Sequence, residues 1–527
     1  MKAQSDIVIV GAGHNALACG FYLAERGLKV TMVESRSVVG GAAVTEEFHP
    51  GFRNSTAAYT VSLLNPKVIR DMRLYQHGLK VVLRKIDNFL PTLGPDYLLS
   101  GRNGLTKSEI ARHSPADAEN YDAYSAALNK VVGVLRQWLL QAPPNAGGGL
   151  GDIVALLKLG AGVNRLSLEE QRHLVDFFTK SAADVLQRYF GHELVQALFG
   201  FDAVVGHYAS PYAPGSAYVL LHHVFGEAAG VEGAWGHAIG GMGAITQAMA
   251  KAAREEGVEI ILDTPVGEII VEGGKAVGVV AGGKAYRAKA VVSGVHPKRL
   301  FTELLPDGAI DGDSARRMAH WASESATFRM NVALSDLPRF TSLPEPGDHL
   351  TAGIITAPSL SYMDRAYLTA RTEGWSREPV VEMLIPSTLD DSLAPAGRHV
   401  ASLFCQHFPF AVEGGWDSRR DEAADHVIAH VDRYAPGFKD LVIGRLALSP
   451  LDLERRFGLI GGDIFHGKMG LDQLFSNRPM LGHADYRMPL KGLYLCGAGA
   501  HPGGGVTGAP GHNAARAVLA DRRKLKL

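Results

Sequence analysis

Cysteine is scarce in this chain. Of 527 residues only three are cysteine, Cys19, Cys405 and Cys496, and no two stand as CxxC. That is too few for a disulfide framework, and it argues against a cysteine zinc site or an adjacent dithiol redox centre. An excess of charge of one sign is lacking too. Lys and Arg total 53 against 54 Asp and Glu, so no basic surplus points to nucleic acid. Basic pairs such as Arg455-Arg456 read as solvated surface. No run of 18 apolar residues occurs, which leaves no spanning helix. The first strand begins by residue 6, which leaves no room for a signal or transit peptide. The expectation is a soluble cytoplasmic protein, with shallow membrane contact left open. At 46% hydrophobic residues the chain has ample material for a core, and its length calls for two or more domains or one discontinuous pair.

The most informative stretch is the first 36 residues. Asp6-Ile-Val-Ile-Val10 reads as a buried parallel strand. It runs into Gly11-Ala-Gly13-His-Asn-Ala16, then a helical pattern stopped by Gly27, then a second strand that ends on Glu34. This is a βαβ unit with a dinucleotide fingerprint. Gly11 allows the tight turn, Gly13 lets the backbone approach a pyrophosphate, and Ala16 packs helix on strand. The helix N-terminus offers amides to the phosphates, and Glu34 stands where a carboxylate accepts from a ribose. A second pair, Gly40-Gly41, follows soon after the acid. A nicotinamide enzyme does not need it, so FAD is favoured over NAD. The stretch resembles flavoproteins of the glutathione-reductase type and departs from them at Ala42, where many members carry Arg.

Further along, Ser114-Pro115-Ala-Asp117 opens a helix with a capping box, and apolar residues recur from Tyr121 to Leu139 at helical spacing. Residues 142–151 read as a flexible Gly-rich linker, and Ser167 caps another helix. The block from about 114 to 225 thus forms a helical insertion. The α/β pattern returns at Gly240-Gly-Met-Gly243, with a hairpin around Gly273-Gly274 and a strand at Ala290–Gly294. No second fingerprint follows a strand, so no separate NAD(P)H domain is expected. Ala326–Leu334 alternates as a half-buried strand, with Thr327, Arg329 and Asn331 on its polar face, which meets either solvent or a pocket, solvent being favoured because such faces are usually wet. Val380–Pro386 and Val400–Phe408 look like its companions. The last block runs from the strand Gly492–Cys496 into a loop of many glycines and a helix from Asn513 to Arg522. Such a loop implies close backbone approach to something flat or anionic.

Val8–Glu47, Gly233–Phe301 and Leu451–Arg516 together resemble the bacterial-type phytoene desaturases and related carotenoid oxidoreductases. The resemblance rests on Pro450–His466 and on Leu493-Tyr-Leu-Cys-Gly-Ala-Gly-Ala-His-Pro-Gly-Gly-Gly505. A closer resemblance is to a sub-branch, the pyridine nucleotide-disulfide oxidoreductase domain-containing proteins of mitochondrial type and their bacterial relatives. Gly51-Phe-Arg-Asn-Ser, His77-Gly-Leu-Lys-Val, Ser210–His223, Gly233-Ala-Trp-Gly236 and Leu471-Asp-Gln-Leu474 carry it.

The resemblance implies an α/β fold: a discontinuous Rossmann-like FAD domain over residues 1–80, 236–300 and 480–527, with an inserted mixed α+β substrate domain over 81–235 and 301–479. It implies noncovalent FAD. Gly11, Gly13, Ala16, Glu34, Gly40 and Gly41 would hold the adenosine and pyrophosphate side, and Val266 would meet the adenine through its backbone. Gly499 and the loop with Gly503, Gly504, Gly505 and Val506 would lie along the ribityl chain and ring.

The chemistry expected is that of a dehydrogenase, desaturase or oxidase taking a hydride from an apolar organic molecule onto flavin N5, with oxygen or a quinone as acceptor. His501 is the candidate polar group near the ring, either a base or a hydrogen-bonding residue within its loop. Tyr208, Trp235 and His237 are substrate-side candidates. An amine oxidase, with an aromatic cage from Trp235, Tyr208 and Tyr212, is a rival reading. A flavin-bearing binding or regulatory protein is another. His222-His223 lacks an i,i+4 partner, so no metal site is expected.

Overall fold

The computed structural model describes residues 5–145 and 147–527, so Ala146 of the expected linker lies outside it. Ser5–Val10 is the middle of a seven-stranded sheet. It is flanked in parallel by Val30–Val33 and by Lys284–Ser293. Glu259–Ile261 extends one side, and Leu493–Leu495 pairs in parallel with the end of Lys284–Ser293. The hairpin Val266–Glu272 and Lys275–Ala281 continues the sheet antiparallel. Ile7, Val8 and Ile9 are buried, so this unbroken apolar strand is covered on both of its faces. Helix His14–Ala24 packs between Met242–Glu255 and Ala509–Ala520. The approach to the last of these is so close that a Cβ on Gly511 would lie 1.9 Å from the Asn15 carbonyl oxygen. That helix starts at Ala509 rather than Asn513, because Pro510 presets its first turn.

A second seven-stranded sheet runs in the order Val442–Leu448, Thr327–Leu334, His399–Gln406, Val380–Leu384, Gly353–Ile355, Asn88–Pro91, Tyr97–Ser100. All its pairings are antiparallel except Gly353–Ile355 with Asn88–Pro91. Helix Trp416–Tyr434 covers one face with a core that includes Phe328, Val381 and Leu403. The other face looks toward the first sheet. Two connecting strands, Val81–Leu83 and Gly236–Ala238, pair with each other at the junction.

Strand Thr327–Leu334 corrects one expectation. Its polar side does not face solvent: all eight residues are buried. The segment 54–59 threads between the two halves, and this strand satisfies its polar groups. Asn331 donates to the Ser55 carbonyl and accepts from the Asn54 side chain, each at 3.0 Å. Arg329 donates to the Ala57 carbonyl (3.1 Å), the Leu403 carbonyl (2.7 Å) and Ser402 Oγ (2.8 Å). A buried guanidinium without a bonded carboxylate is tolerated only with such a set of acceptors.

The helical block packs as a separate core over the cavity between the sheets. Its first long helix, Pro115–Leu139, is capped by Ser114, but the reciprocal half of the capping box is missing. The Asp117 carboxylate instead accepts from the amides of Gly191 and His192 at 2.9 and 2.8 Å, tying two helices together. The linker is shorter than expected, because a helix, Leu150–Asn164, begins at Leu150. None of its residues is buried. No helix among the described residues is long and apolar enough to cross a membrane.

Arg329→Met should destabilise the fold by about 3 kcal/mol, since it strands two buried carbonyls that water cannot reach. Denaturant unfolding of wild type and variant, followed by circular dichroism, measures this. A difference under about 0.5 kcal/mol would mean that the guanidinium does not bind the halves together.

Candidate functional site

The dinucleotide fingerprint opens one end of a long cavity between the two sheets. Gly11 takes φ +89°, a left-handed conformation that a side chain would strain. Gly13 is the N-cap of the first helix and brings no side-chain cap, so the first-turn amides point outward unpaired. Gly13 and Gly41 both line the cavity, and a Cβ on Gly41 would come within 3.2 Å of the Gly13 Cα. Glu34 also lines it and accepts from the amides of Ala12 at 2.7 Å and Arg36 at 3.0 Å. Ala16, Pro265 and Val266 complete this end. Gly40 stands behind, its amide donating to the Ala12 carbonyl at 2.9 Å.

Three buried polar atoms facing this region have no partner in the protein: His14 Nε2, Asn15 Oδ1 and His466 Nδ1. Burial pushes His14 down to about 4 and His466 to about 3, so both rings are neutral at pH 7. Arg36, Arg299, Arg455 and Arg456 border the cavity. Arg455 and Arg456 are therefore not merely solvated surface, although each keeps partial exposure and an acidic partner, Asp417 and Glu46. Arg36 also bonds Glu46, at 2.7 Å, and the Gly41 carbonyl, at 3.2 Å. It brings a cation beside Ala42, where related flavoproteins often carry Arg. Orphaned polar atoms, free helix amides and a cationic rim suit a group with a diphosphate and hydroxyls.

The C-terminal glycine loop divides. Gly497, Ala498, Gly505 and Val506 line the cavity. Gly499, Gly503 and Gly504 do not. A Cβ on Gly499 would lie 2.0 Å from Pro297, and one on Gly504 would lie 2.4 Å from Phe465, so these glycines serve close packing behind the wall. Gly503 faces Met469 and Arg478. Arg478 is fully buried and donates to the carbonyls of Phe465 (2.7 Å), Gln473 (3.2 Å) and Ala498 (2.8 Å). It shapes the loop from behind.

The other half of the cavity lies against the second sheet. Arg329, Phe404 and Glu382 form a row across three strands at matching register. Tyr59 lies on this row: its ring stacks on Phe404 at 5.3 Å, its hydroxyl donates to Glu382 at 2.5 Å, and the Arg329 guanidinium sits 4.5 Å over the ring. Burial pushes Glu382 up, against the opposing pull of Arg84, whose Nη1 is 3.9 Å away. Gly353 makes room here, since a Cβ would lie 2.5 Å from Glu382 Oε1. Trp235, Phe201, Asp202, Val205 and His223 close the chamber.

Of the expected substrate-side residues, only Trp235 lines the cavity. His237 Nε2 instead meets the Asp390 carboxylate at 3.0 Å. Burial alone would raise Asp390, but His237, Ser392 and the Gly240 amide hold it well below the carboxylate range. Tyr208 packs on Tyr367 and His407 away from the cavity, and Tyr212 is exposed. His501 also lies outside it. Its Nε2 is 3.1 Å from the Trp138 carbonyl and its ring packs on Phe475 at 5.3 Å. Burial pushes it down to about 4. It pins the glycine loop to the helical block, and the expectation of a base beside the ring is corrected accordingly. His222 borders a separate small cavity with Leu63, Leu139 and Ala509. The three cysteines are buried and free. Burial, and then its neighbour Cys496, push the Cys19 thiol far above its usual value, which leaves it inert as a nucleophile. Sequence reasoning missed Tyr59, Asp202 and Glu382, which carry no motif, and gave no role to His466, the last residue of the Pro450–His466 segment. Their only signal is polarity in otherwise apolar surroundings.

Residues 17–321 match the family of flavin-containing amine oxidoreductases. Across 100% of this chain and 95% of the relative, the sequence is 39% identical to pyridine nucleotide-disulfide oxidoreductase domain-containing protein 2 of Rattus norvegicus. It is 26% identical to the neurosporene-forming phytoene desaturase of Cereibacter sphaeroides, over 97% of this chain and 94% of the relative. The fold matches that of cyclohexylamine oxidase from Brevibacterium oxydans with a TM-score of 0.58 at 15% identity, covering 99% of this chain and 100% of that one. FAD is the cofactor that the cradle fits. Gly11, Gly13, Glu34, Gly41 and Val266 would hold its nucleotide end, and Gly497, Ala498, Gly505 and Val506 the end nearer the chamber. Gly13→Val should purify folded but without flavin, because the added branch fills the place of the phosphates, and Glu34→Ala should retain FAD about tenfold more weakly. Absorbance of the purified variants at 450 nm checks both; full flavin content in the Gly13 variant would dismiss this cradle. With a whole-chain relative at 39% identity and a family match across more than half its length, the chain belongs to the flavin-containing amine oxidoreductases and is an FAD-dependent oxidoreductase.

Proposed function

We propose that the protein dehydrogenates an apolar organic molecule held in the chamber between the cofactor cradle and the second sheet, with oxygen or a membrane quinone as electron acceptor. The observation that carries the reading is the chamber wall. Phe201, Val205, Trp235, Phe404, Ile464 and Phe465 dominate it, and the one histidine expected as a base lies elsewhere. Bound FAD supplies the two-electron acceptor. The chain's own residues orient the substrate, exclude water and hold a fixed polar edge at Tyr59 and Glu382. The relationship to a phytoene desaturase supports an apolar substrate.

An amine substrate is less well served. The aromatic faces that would receive an ammonium group are already engaged by guanidinium groups, Arg329 over Tyr59 at 4.5 Å and Arg84 over Trp235 at 5.6 Å. Tyr208 and Tyr212, the other expected members of a cage, stand away from the chamber.

We also propose peripheral contact with an anionic membrane through helix Leu150–Asn164, a route by which an apolar molecule reaches the chamber. Leu150, Ile153, Val154 and Leu157 recur at one-face spacing, with Leu150 82% and Leu157 67% exposed. Lys158 and Arg165 flank the stripe, while the Asp152 carboxylate is tied to the Asn145 amide at 2.8 Å. An exposed apolar stripe with basic neighbours suits a lipid surface.

Two measurements test these readings. In anaerobic titrations an apolar polyene should bleach the flavin band near about 450 nm, while NADPH leaves it unchanged. Bleaching by NADPH would make the protein a reductase. No bleaching by any polyene, alcohol or amine would favour a flavin-bearing binding or regulatory protein. In co-sedimentation with phosphatidylglycerol vesicles, Ile153→Glu with Leu157→Glu should cut the bound fraction about tenfold. Absence of vesicle binding, with concentration-dependent self-association instead, would assign the helix to a second copy of the chain.

A further inference from the structure

Asp202 is the polar side chain of the chamber that the reading above leaves without a task. It sits in a single helical turn, Phe201–Ala203, directly after helix Glu193–Gly200, and faces into the cavity. Its carboxyl makes no hydrogen bond and no ion pair to any of the described residues. Two other ionisable groups on this side of the cavity are engaged. Glu382 receives the Tyr59 hydroxyl and lies beside Arg84, and His223 Nδ1 meets the Val219 carbonyl at 2.9 Å. The residue is half-buried, open only to the cavity, and a carboxyl turned into a largely apolar chamber with no partner from the protein stands free to meet a ligand.

The groups facing Asp202 decide which form it takes. From strand Val380–Leu384 comes Glu382, a second carboxyl that opposes ionisation. From helix Pro115–Leu139 comes the Tyr124 hydroxyl, itself without a partner and held far above its usual value by burial. From helix Ser216–Val224 comes His223, neutral because burial pushes it down to about 4. Among the described residues no cation faces Asp202. Burial and then Glu382 push it up to about 8, so at neutral pH it is an uncharged acid with one O–H to donate. A neutral acid in an apolar chamber pairs with an acceptor that is itself uncharged.

We propose that Asp202 anchors the substrate by donating a hydrogen bond to a carbonyl oxygen, so that the chamber takes a ketone or aldehyde on an otherwise apolar skeleton. The inference deepens the proposed function, since it takes the chamber as the place where substrate binds. Phe201 and Val205 beside the carboxyl receive the apolar part, and Asp202 sets which end of the molecule enters first. Asp202 stands on the second-sheet side, apart from the cofactor cradle, so its replacement leaves flavin retention intact.

The test is equilibrium binding to the flavin-loaded protein, read from perturbation of the flavin spectrum, with 2-octanone, octane and octylamine as probes. Wild type should bind 2-octanone about tenfold more tightly than octane, the value of one buried hydrogen bond. Asp202→Leu should lose that preference, and Asp202→Asn, which still donates, should keep it to within about threefold. The 2-octanone affinity of wild type should fall as pH rises through about 8, because the proton that is donated leaves. The Asn variant should show no such fall. Preferential binding of octylamine, abolished by Asp202→Asn, would make the site a cation site and overturn the proposal. Equal affinities of Asp202→Leu and wild type for 2-octanone would overturn it as well. Since the readout is binding, absence of turnover with polyenes would leave this result standing and remove only the enzymatic reading.

Discussion

A single buried guanidinium sets the geometry between the two halves of the molecule. Arg329 reaches from the second sheet to the carbonyl of Ala57, in the segment that threads between the sheets. It also braces its own sheet through Leu403 and Ser402. Tyr59 is thereby laid flat on Phe404 with its hydroxyl on Glu382. One side chain thus bonds the threading segment and sits over the Tyr59 ring that this segment carries. The chamber's polar edge and its aromatic wall are two faces of the same packing arrangement, so neither moves without the other.

The second constraint is the cofactor cradle. Its residues arrive from distant parts of the chain: the first turn and helix, Glu34, the edge at Val266, and the loop from Gly497 to Val506. Each part is a backbone surface more than a set of side chains. That is why glycines dominate it, and why the specific chemistry is left to the second sheet and the helical block.

This division explains what was legible in the sequence. The strand, turn, helix, strand and acid from Asp6 to Glu34 follow local rules of period, turn and capping. The structure has the corresponding elements, with Gly13, Glu34 and Gly41 on the cavity wall. The strand near 330 was equally legible from alternation, and those near 380 and 400 as its companions. What alternation does not say is what covers the polar side, so Arg329 and Asn331 read as wet when another segment of the chain buries them. The glycine loop signalled close approach, but Gly499 and Gly504 approach protein while Gly505 borders the cavity. His501 and His237 stood out as isolated histidines and turned out to be ties between elements. Tyr59, Asp202 and Glu382 meet only through tertiary packing, and no spacing in the sequence announces them.

The junction of the first helix with the last has a consequence for how the molecule is made. Strand Leu493–Leu495 completes the sheet, and Gly511 lets the final helix rest on Asn15. The nucleotide site is therefore closed by residues nearly five hundred positions apart. A nascent chain still on the ribosome carries the fingerprint early but lacks the wall that closes over it. Cofactor capture waits for the segment from Leu493 onward, and until then residues 291–293, already paired with Ser5–Val10 on one side, present an open strand edge on the other, a feature that chaperones shield.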